Sequence, residues 1–361
     1  RRGLEAAGFS VSKRAGFGSK RDALCGVIGS PPRTSPPLTP WDLNPTPKKL
    51  GRAMVIGAGL AGAHAAHALA TRGITVTVLE AATHASGGSS NLQGVTYTRL
   101  SHQHNPLTDF SVSAFAYAAD HYEVLAGSRA MEPGVDYGWG GYIQLDDNED
   151  TLDHLNKVLP LAPDFARVLS QQEIAALIGA QPRCGGIHYL RGGWLNPRAV
   201  CRALLAHPAI TLIEGAGAVQ LTPSHGQWQA LDLSGNPIAE ASLAVLATAH
   251  SVTMHAALAW LPLTSIRGQT THLPATNQLS GLQVALCDSG YLPPARSGQH
   301  CMGASFAPGD PGTDERAAEH AHNVDMMCNA LPHLKLAPPE AGWQGHVAHR
   351  CNSNDYLPVA G

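Results

Sequence analysis

The residues best suited to chemistry are glycines. Gly57-Ala58-Gly59-Leu60-Ala61-Gly62 has the spacing of a dinucleotide-binding turn, and Glu80 follows Gly62 by 18 residues. In such a turn the first glycine allows the bend and the second lets backbone approach a pyrophosphate. The third lets helix and strand pack closely, and the acid accepts a ribose hydroxyl. A helix starting there would turn free N–H groups and a partial positive charge toward the phosphates. An acid at 80 disfavours a 2′-phosphate, so NADP is set aside, while FAD and NAD stay equally open on the fingerprint alone. A second loop of small residues and hydrogen-bonders, Ser86 to Gly94, follows soon after Glu80. Gly88, Ser89, Asn91, Gln93 and Gly94 within it suit a further contact with a large ligand and lean toward a flavin.

Elements of the right kind surround that turn. Ala53-Met54-Val55-Ile56 is a short apolar run suited to a buried parallel strand. The Ala-rich stretch 63–72 predicts a helix stopped by Gly73, and 74–79 a second, β-branched strand. A glycine-rich turn in an ordinary α/β protein would not need this whole strand–turn–helix–strand–acid order. Further on, spacing predicts helices over 107–126, 150–170, 171–178 and 314–331, and strands over 209–213, 228–233 and 243–248. The pattern is α/β with an inserted sheet.

Composition narrows the class. Apolar runs end well short of the ~18–20 residues of a membrane-spanning helix. The seven cysteines are odd in number, scattered and without C-x-x-C, which fits a reducing cytoplasm and neither a disulfide framework nor a zinc site. Of the histidines, His102, His104, His250, His346 and His349 read as ordinary polar or core residues, and none is taken as a metal ligand. Residues 1–52 carry ten Lys/Arg against three acids, the rest fourteen against twenty-four. Such a basic head suits a nucleic-acid contact or a targeting peptide. Seven prolines between Pro31 and Pro47 predict an extended linker behind it.

Taken in order, Gly57–Gly62, Glu80, the loop Gly87-Gly88-Ser89-Ser90-Asn91-Leu92-Gln93-Gly94, Gly192-Gly193-Trp194-Leu195, Arg267-Gly268-Gln269, Asp288-Ser289-Gly290-Tyr291-Leu292 and Arg350 to Gly361 resemble a known family. It is the family of bifunctional tRNA 5-methylaminomethyl-2-thiouridine biosynthesis proteins, in its FAD-dependent oxidoreductase half. That half is similar to glycine and D-amino-acid oxidases. The N-terminal stretch resembles the end of the family's methyltransferase half.

The resemblance implies oxidation of the carboxymethyl C–N bond of 5-carboxymethylaminomethyl-(2-thio)uridine at the tRNA wobble position. Hydrolysis of the imine releases glyoxylate and leaves 5-aminomethyl-(2-thio)uridine, which the methyltransferase half methylates with S-adenosylmethionine. The leaving fragment is in effect a glycine, so its carboxylate needs a cation, and the family position corresponds to Arg350; arginine's planar fork suits that task. Ser353 stands where threonine is usual. Tyr291 is expected to bond the carboxylate or cover the substrate. Arg267 and Gln269 are expected beside the flavin ring, where a cation or donor stabilises reduced flavin. Ala247-Thr248-Ala249 matches a small-residue turn near the cofactor, making Thr248 and Ala249 contacts, and Val219 is expected to meet adenine through its backbone.

The expected architecture is a Rossmann-like FAD-binding domain with an inserted α+β substrate domain, truncated at both ends. Its parts are a methyltransferase-like tail (1–29), a linker (30–51), FAD-binding segments (52–135, 186–262 and an incomplete 341–361) and substrate segments (136–185 and 263–340). A chain that stops at Gly361, the last glycine of the arginine motif, before the family's further flavin-contacting segment and helix, is expected to bind FAD weakly or not at all and to leave methylation to the missing half. Tight, stoichiometric yellow flavin on the purified chain would overturn that expectation. tRNA is the expected partner, met mainly through phosphates by residues 1–21 and so with salt-sensitive affinity. A monomer without metal or membrane partner is expected. The alternatives are a small-molecule glycine- or sarcosine-type oxidase and a catalytically incomplete fragment.

Overall fold

The computed structural model describes residues 1–16, 18, 20–28, 51–101, 105–339 and 342–360. The expected linker, save Gly51, and His102, His104 and Gly361 lie outside the described residues. The chain divides into two units, Arg1–Lys49 and Leu50–Gly361. In the first, a short helix Arg2–Ala6 precedes the antiparallel strands Phe9–Ala15 and Asp22–Ile28, where Lys13 pairs with Asp22 at 2.9 Å.

In the second unit, strands Ile210–Ile213, Thr75–Leu79, Arg52–Ile56 and Leu243–Leu246 lie side by side in that order, all parallel. Both faces are covered, which is why Ala53–Ile56 is apolar throughout. Ala53, Val55, Val76 and Val78 meet Ala63, Ala66 and Ala70 of the helix Leu60–Ala70 and Val200, Cys201 and Leu204 of the helix Pro197–Leu205. Alanines one turn apart let the first helix settle close to the sheet. Met54, Ile56 and Leu79 point the other way, onto Ala230 and Ala241 of an antiparallel sheet made by Gln220–Ser224, Gln227–Leu231 and Pro237–Ala241.

A nine-stranded mixed sheet forms the second layer. Its backbone is the long strand Leu263–Pro274, with Gln299–Gly303 and Ala307–Pro308 on one edge and Gln344–Ser353 along the other. Leu273, Leu286, Leu292 and Met302 pack on Met326, Met327 and Ala330 of the helix Ala317–Ala330. The far part of the sheet stacks Tyr142 on Tyr189 at 4.5 Å against Phe115. Phe115 belongs to the helix Pro106–Leu125, which starts on an Asn105 cap and a proline in its first turn. No helix among the described residues is long and apolar enough to cross a membrane.

Three expectations need correction. The helix read over 150–170 ends at Val158, and Ala166–Leu169 is a strand paired with Gly186–Tyr189; Pro160 and Pro163 break the helical run between them. Gly186–Tyr189 also pairs with Tyr142–Leu145, so the substrate sheet runs past the expected division at 185. Gln344–Ser353, assigned to a cofactor segment, is a full-length partner of Leu263–Pro274 in the same large sheet.

Candidate active site

The fingerprint turn is built as its glycines require. A Cβ on Gly62 would lie 1.8 Å from the Gly57 carbonyl oxygen, and one on Gly57, at φ +101°, 2.5 Å from the Ala247 carbonyl oxygen. No side chain caps the helix Leu60–Ala70, whose N-cap is Gly59, although Leu60 N–H donates to Ser89 Oγ at 3.0 Å. Ala61 and Gly62 therefore begin a helix whose N-terminus is otherwise open to phosphate oxygens. Glu80, just past the second strand, accepts from Ala58 N–H at 2.8 Å and Ala82 N–H at 3.2 Å. That fixes the carboxylate at the turn and leaves lone pairs for a hydroxyl.

Beside the turn, Thr248 Oγ1 is buried with no hydrogen-bond partner among the described residues. Ala249 takes φ +50°, a left-handed conformation that costs a non-glycine residue on the order of 1–3 kcal/mol and persists where surroundings impose it. A cradle that any Cβ would fill, an uncapped helix start and an orphaned hydroxyl fit a dinucleotide such as FAD. Val219 is half-buried and packs against the cluster of Met54, Ile56, Leu79, Ala230 and Ala241.

The loop after Glu80 closes onto the large sheet. Gly88 backs against the His349 carbonyl, and Ser90 Oγ lies 2.6 Å from His346 Nε2. Asn91 Nδ2 donates to the Tyr291 hydroxyl at 2.6 Å and to Gln93 O at 2.9 Å, while Cys301 Sγ donates to Asn91 Oδ1. Gln93, 1% exposed, donates to Pro294 O at 2.9 Å, and Gly94 pairs with Leu195. The Asn91 and Gln93 side chains thus clasp protein. Burial pushes the Tyr291 phenol well above its ordinary value, so it stays protonated and able to donate.

Register places the reactive face. Ile266 pairs with Arg350, Gly268 with Ala348, Thr270 with His346 and Gly303, and Gly303 with Tyr291. Side chains alternate along a strand, so Arg350, His346 and Tyr291 share the face of Gly268. Arg350 is exposed and has no acidic partner among the described residues; its guanidinium carbon lies 5.8 Å from the centre of the Phe306 ring. A Cβ on Gly268 would come 2.8 Å from Arg350 Nη2, so the glycine leaves the shelf on which the guanidinium rests.

Arg267 and Gln269, expected beside a flavin ring, point the other way, away from the face that carries Arg350, His346 and Tyr291. Arg267 is fully buried, ion-pairs with Glu319, and donates to the Gly312, Asp314 and Gln269 oxygens. Gln269 exchanges hydrogen bonds with the Arg316 backbone at 2.8 and 3.0 Å. Both anchor the loop 310–316 and the helix Ala317–Ala330 to the sheet. Arg267→Met is therefore expected to cost stability, about 3–5 kcal/mol, by leaving Glu319 only Ser305 and the more distant Arg316. A lowered urea midpoint with unchanged kcat in the folded fraction checks this, and Glu319→Leu added to Arg267→Met should recover much of the loss.

Asn91 as the partner of Tyr291, and Phe306, are site features that local spacing did not reveal, since both depend on pairings 200 or more residues apart or across the sheet. A cavity of about 310 Å³ lined by Thr276, Ser280, Leu282, Pro294 and His300 touches this site at Pro294, whose carbonyl accepts from Gln93.

Residues 52–361 match the family described as FAD dependent oxidoreductase. A tRNA 5-methylaminomethyl-2-thiouridine biosynthesis bifunctional protein of Saccharophagus degradans is 36% identical over 99% of this chain and 54% of its own length. The protein of the same name from Chromobacterium violaceum is 39% identical over 100% and 55%. The chain thus spans about half the length of the curated relatives it matches. Glycine oxidase from Geobacillus kaustophilus shares the fold at TM-score 0.70 and 20% identity, over 86% of each chain. Iminodiacetate oxidase from Chelativorans sp. BNC1 does so at 0.69 and 22%, again over 86% of each. With the glycine turn, the Glu80 carboxylate held at it and the two-layer fold in place, the chain belongs to the FAD dependent oxidoreductase family.

Proposed function

We propose that this chain carries out the oxidative removal of the carboxymethyl group from 5-carboxymethylaminomethyl-(2-thio)uridine in tRNA. The observation that carries the reading is Arg350: a cation without an acidic partner among the described residues, on one sheet face with a neutral Tyr291, whose hydroxyl is held by Asn91 of the loop after Glu80. Such a pair suits a carboxylate on a secondary amine, and the relatives' names supply the nucleoside.

In this reading Gly57, Gly59, Leu60, Ala61, Gly62 and Glu80 hold the pyrophosphate and ribose of FAD. Gly88, Ser89, Thr248 and Ala249 close on it, with the Asn91, Gln93, Gly94 and Val219 backbones at its edges. FAD, when bound, would supply the acceptor for the hydride of the carboxymethyl carbon, the amine nitrogen giving up its proton as the C–N bond becomes C=N. Arg350 holds the carboxylate and Tyr291 donates to it or covers it, with Asn91 fixing the phenol's orientation. Water then adds to the imine carbon and the C–N bond breaks, giving glyoxylate and the aminomethyl nucleoside. The basic hairpin bearing Lys13, Arg14, Lys20 and Arg21 meets tRNA phosphates. The product amine is the substrate for a following S-adenosylmethionine-dependent methylation, in the cytoplasm.

Anaerobic mixing of the FAD-supplied protein with tRNA bearing the carboxymethylaminomethyl group tests the reading. Flavin bleaching by that tRNA and little by glycine is expected. Bleaching by glycine or sarcosine alone would move the assignment to a small-molecule oxidase, and none with any of them would refute it.

A further inference from the structure

Phe306 sits where a substrate's second half would fall. Ile266 pairs with Pro308 and Arg267 with Ala307, so Phe306 continues that strand opposite Gly268, on the edge away from Gln344–Ser353. Between the two edges Gly268 offers no side chain, and Arg350 reaches across to within 5.8 Å of the ring. The ring is 49% exposed and belongs to none of the hydrophobic cores. Tyr291, by contrast, has its hydroxyl engaged by Asn91 and its ring packed against the Tyr142–Tyr189 cluster.

We propose that Phe306 is the platform on which the substrate's nucleobase stacks, and so the residue that makes this site prefer a nucleoside-borne carboxymethylamine to a free amino acid. The inference rests on the reading under Proposed function. One methylene, the amine nitrogen and a second methylene separate the carboxylate from the pyrimidine ring. A carboxylate held by Arg350 therefore brings the base to the neighbourhood of Phe306. Unstacked RNA bases are commonly held on aromatic faces, and every base has a π-face to offer. A free amino acid has nothing to lay there.

Calorimetric titration of the FAD-supplied full chain with two ligands tests this: the nucleoside 5-carboxymethylaminomethyluridine, and sarcosine, which has the carboxylate and amine but no base. Phe306→Ala should weaken nucleoside binding about tenfold or more while leaving sarcosine within about twofold, and Phe306→Trp should restore the nucleoside. An exposed ring can be removed without unfolding the sheet, and an unchanged thermal midpoint verifies that. Unchanged nucleoside affinity in Phe306→Ala overturns the proposal. So does equal weakening of both ligands, which would make Phe306 a positioning residue for Arg350, and so does a wild-type chain that prefers sarcosine. The expected binding pattern without glyoxylate release would support the platform and refute only the oxidation reading.

Discussion

Arg350→Met is expected to lower kcat/KM on the modified tRNA by about thirtyfold to several thousandfold, mostly through KM. The guanidinium has no acidic partner among the described residues to strand, so its loss falls on the ligand. Removing one partner of a desolvated charge pair costs about 2–5 kcal/mol, which converts to tens to thousands in affinity. Arg350→Lys should recover only part, because an ammonium lacks the planar fork that matches a carboxylate. The thermal midpoint should stay put, since the side chain is exposed and buries no apolar surface. Steady-state kinetics of the three proteins check this, and a methionine variant with native KM would remove Arg350 from the site.

Gly62→Ala is the second large effect, and it acts on the cofactor. Its Cβ would need to sit 1.8 Å from the Gly57 carbonyl oxygen, where real Cβ atoms essentially never come within 3.0 Å. The obstacle is backbone, so the helix Leu60–Ala70 must lift from the strand or the turn must open. Either change misdirects the N–H groups meant for the pyrophosphate. Overpacking costs of ~3 kcal/mol correspond to about a hundredfold in FAD dissociation constant. Gly59→Ala meets only the Ser89 side chain within the protein, at 3.0 Å, so it should leave stability nearly unchanged and weaken FAD by crowding the pyrophosphate. Fluorescence titration with FAD and the thermal midpoints of both variants check this, and native FAD affinity in Gly62→Ala would mean that the turn does not hold the dinucleotide as described.

The parts legible in the sequence are those governed by local rules. The fingerprint strand, glycine turn, helix and second strand follow one another within thirty residues, and each carries its own periodicity. The capping box at Ser170 and Glu173 likewise marks the helix Gln171–Ile178 at the expected place. What stayed hidden depends on sheet register. Whether Arg267 or Gly268 faces the site is decided by a pairing with residues some eighty positions away. The Arg-Gly-Gln run carries no sign of the Glu319 that turns Arg267 inward. Tyr291 was identifiable, yet Asn91, its hydrogen-bond partner, lies 200 residues earlier in a loop read only as a cofactor contact.

The central claim is that this chain, supplied with FAD, cuts a glycine-like fragment from a tRNA nucleoside. Its most direct test is to incubate the protein and FAD with tRNA carrying 5-carboxymethylaminomethyluridine, then quantify glyoxylate and the digested nucleosides together. One glyoxylate per 5-aminomethyluridine formed, with little glyoxylate from free glycine, is the predicted result. Glyoxylate from glycine with the tRNA nucleoside left intact would contradict it.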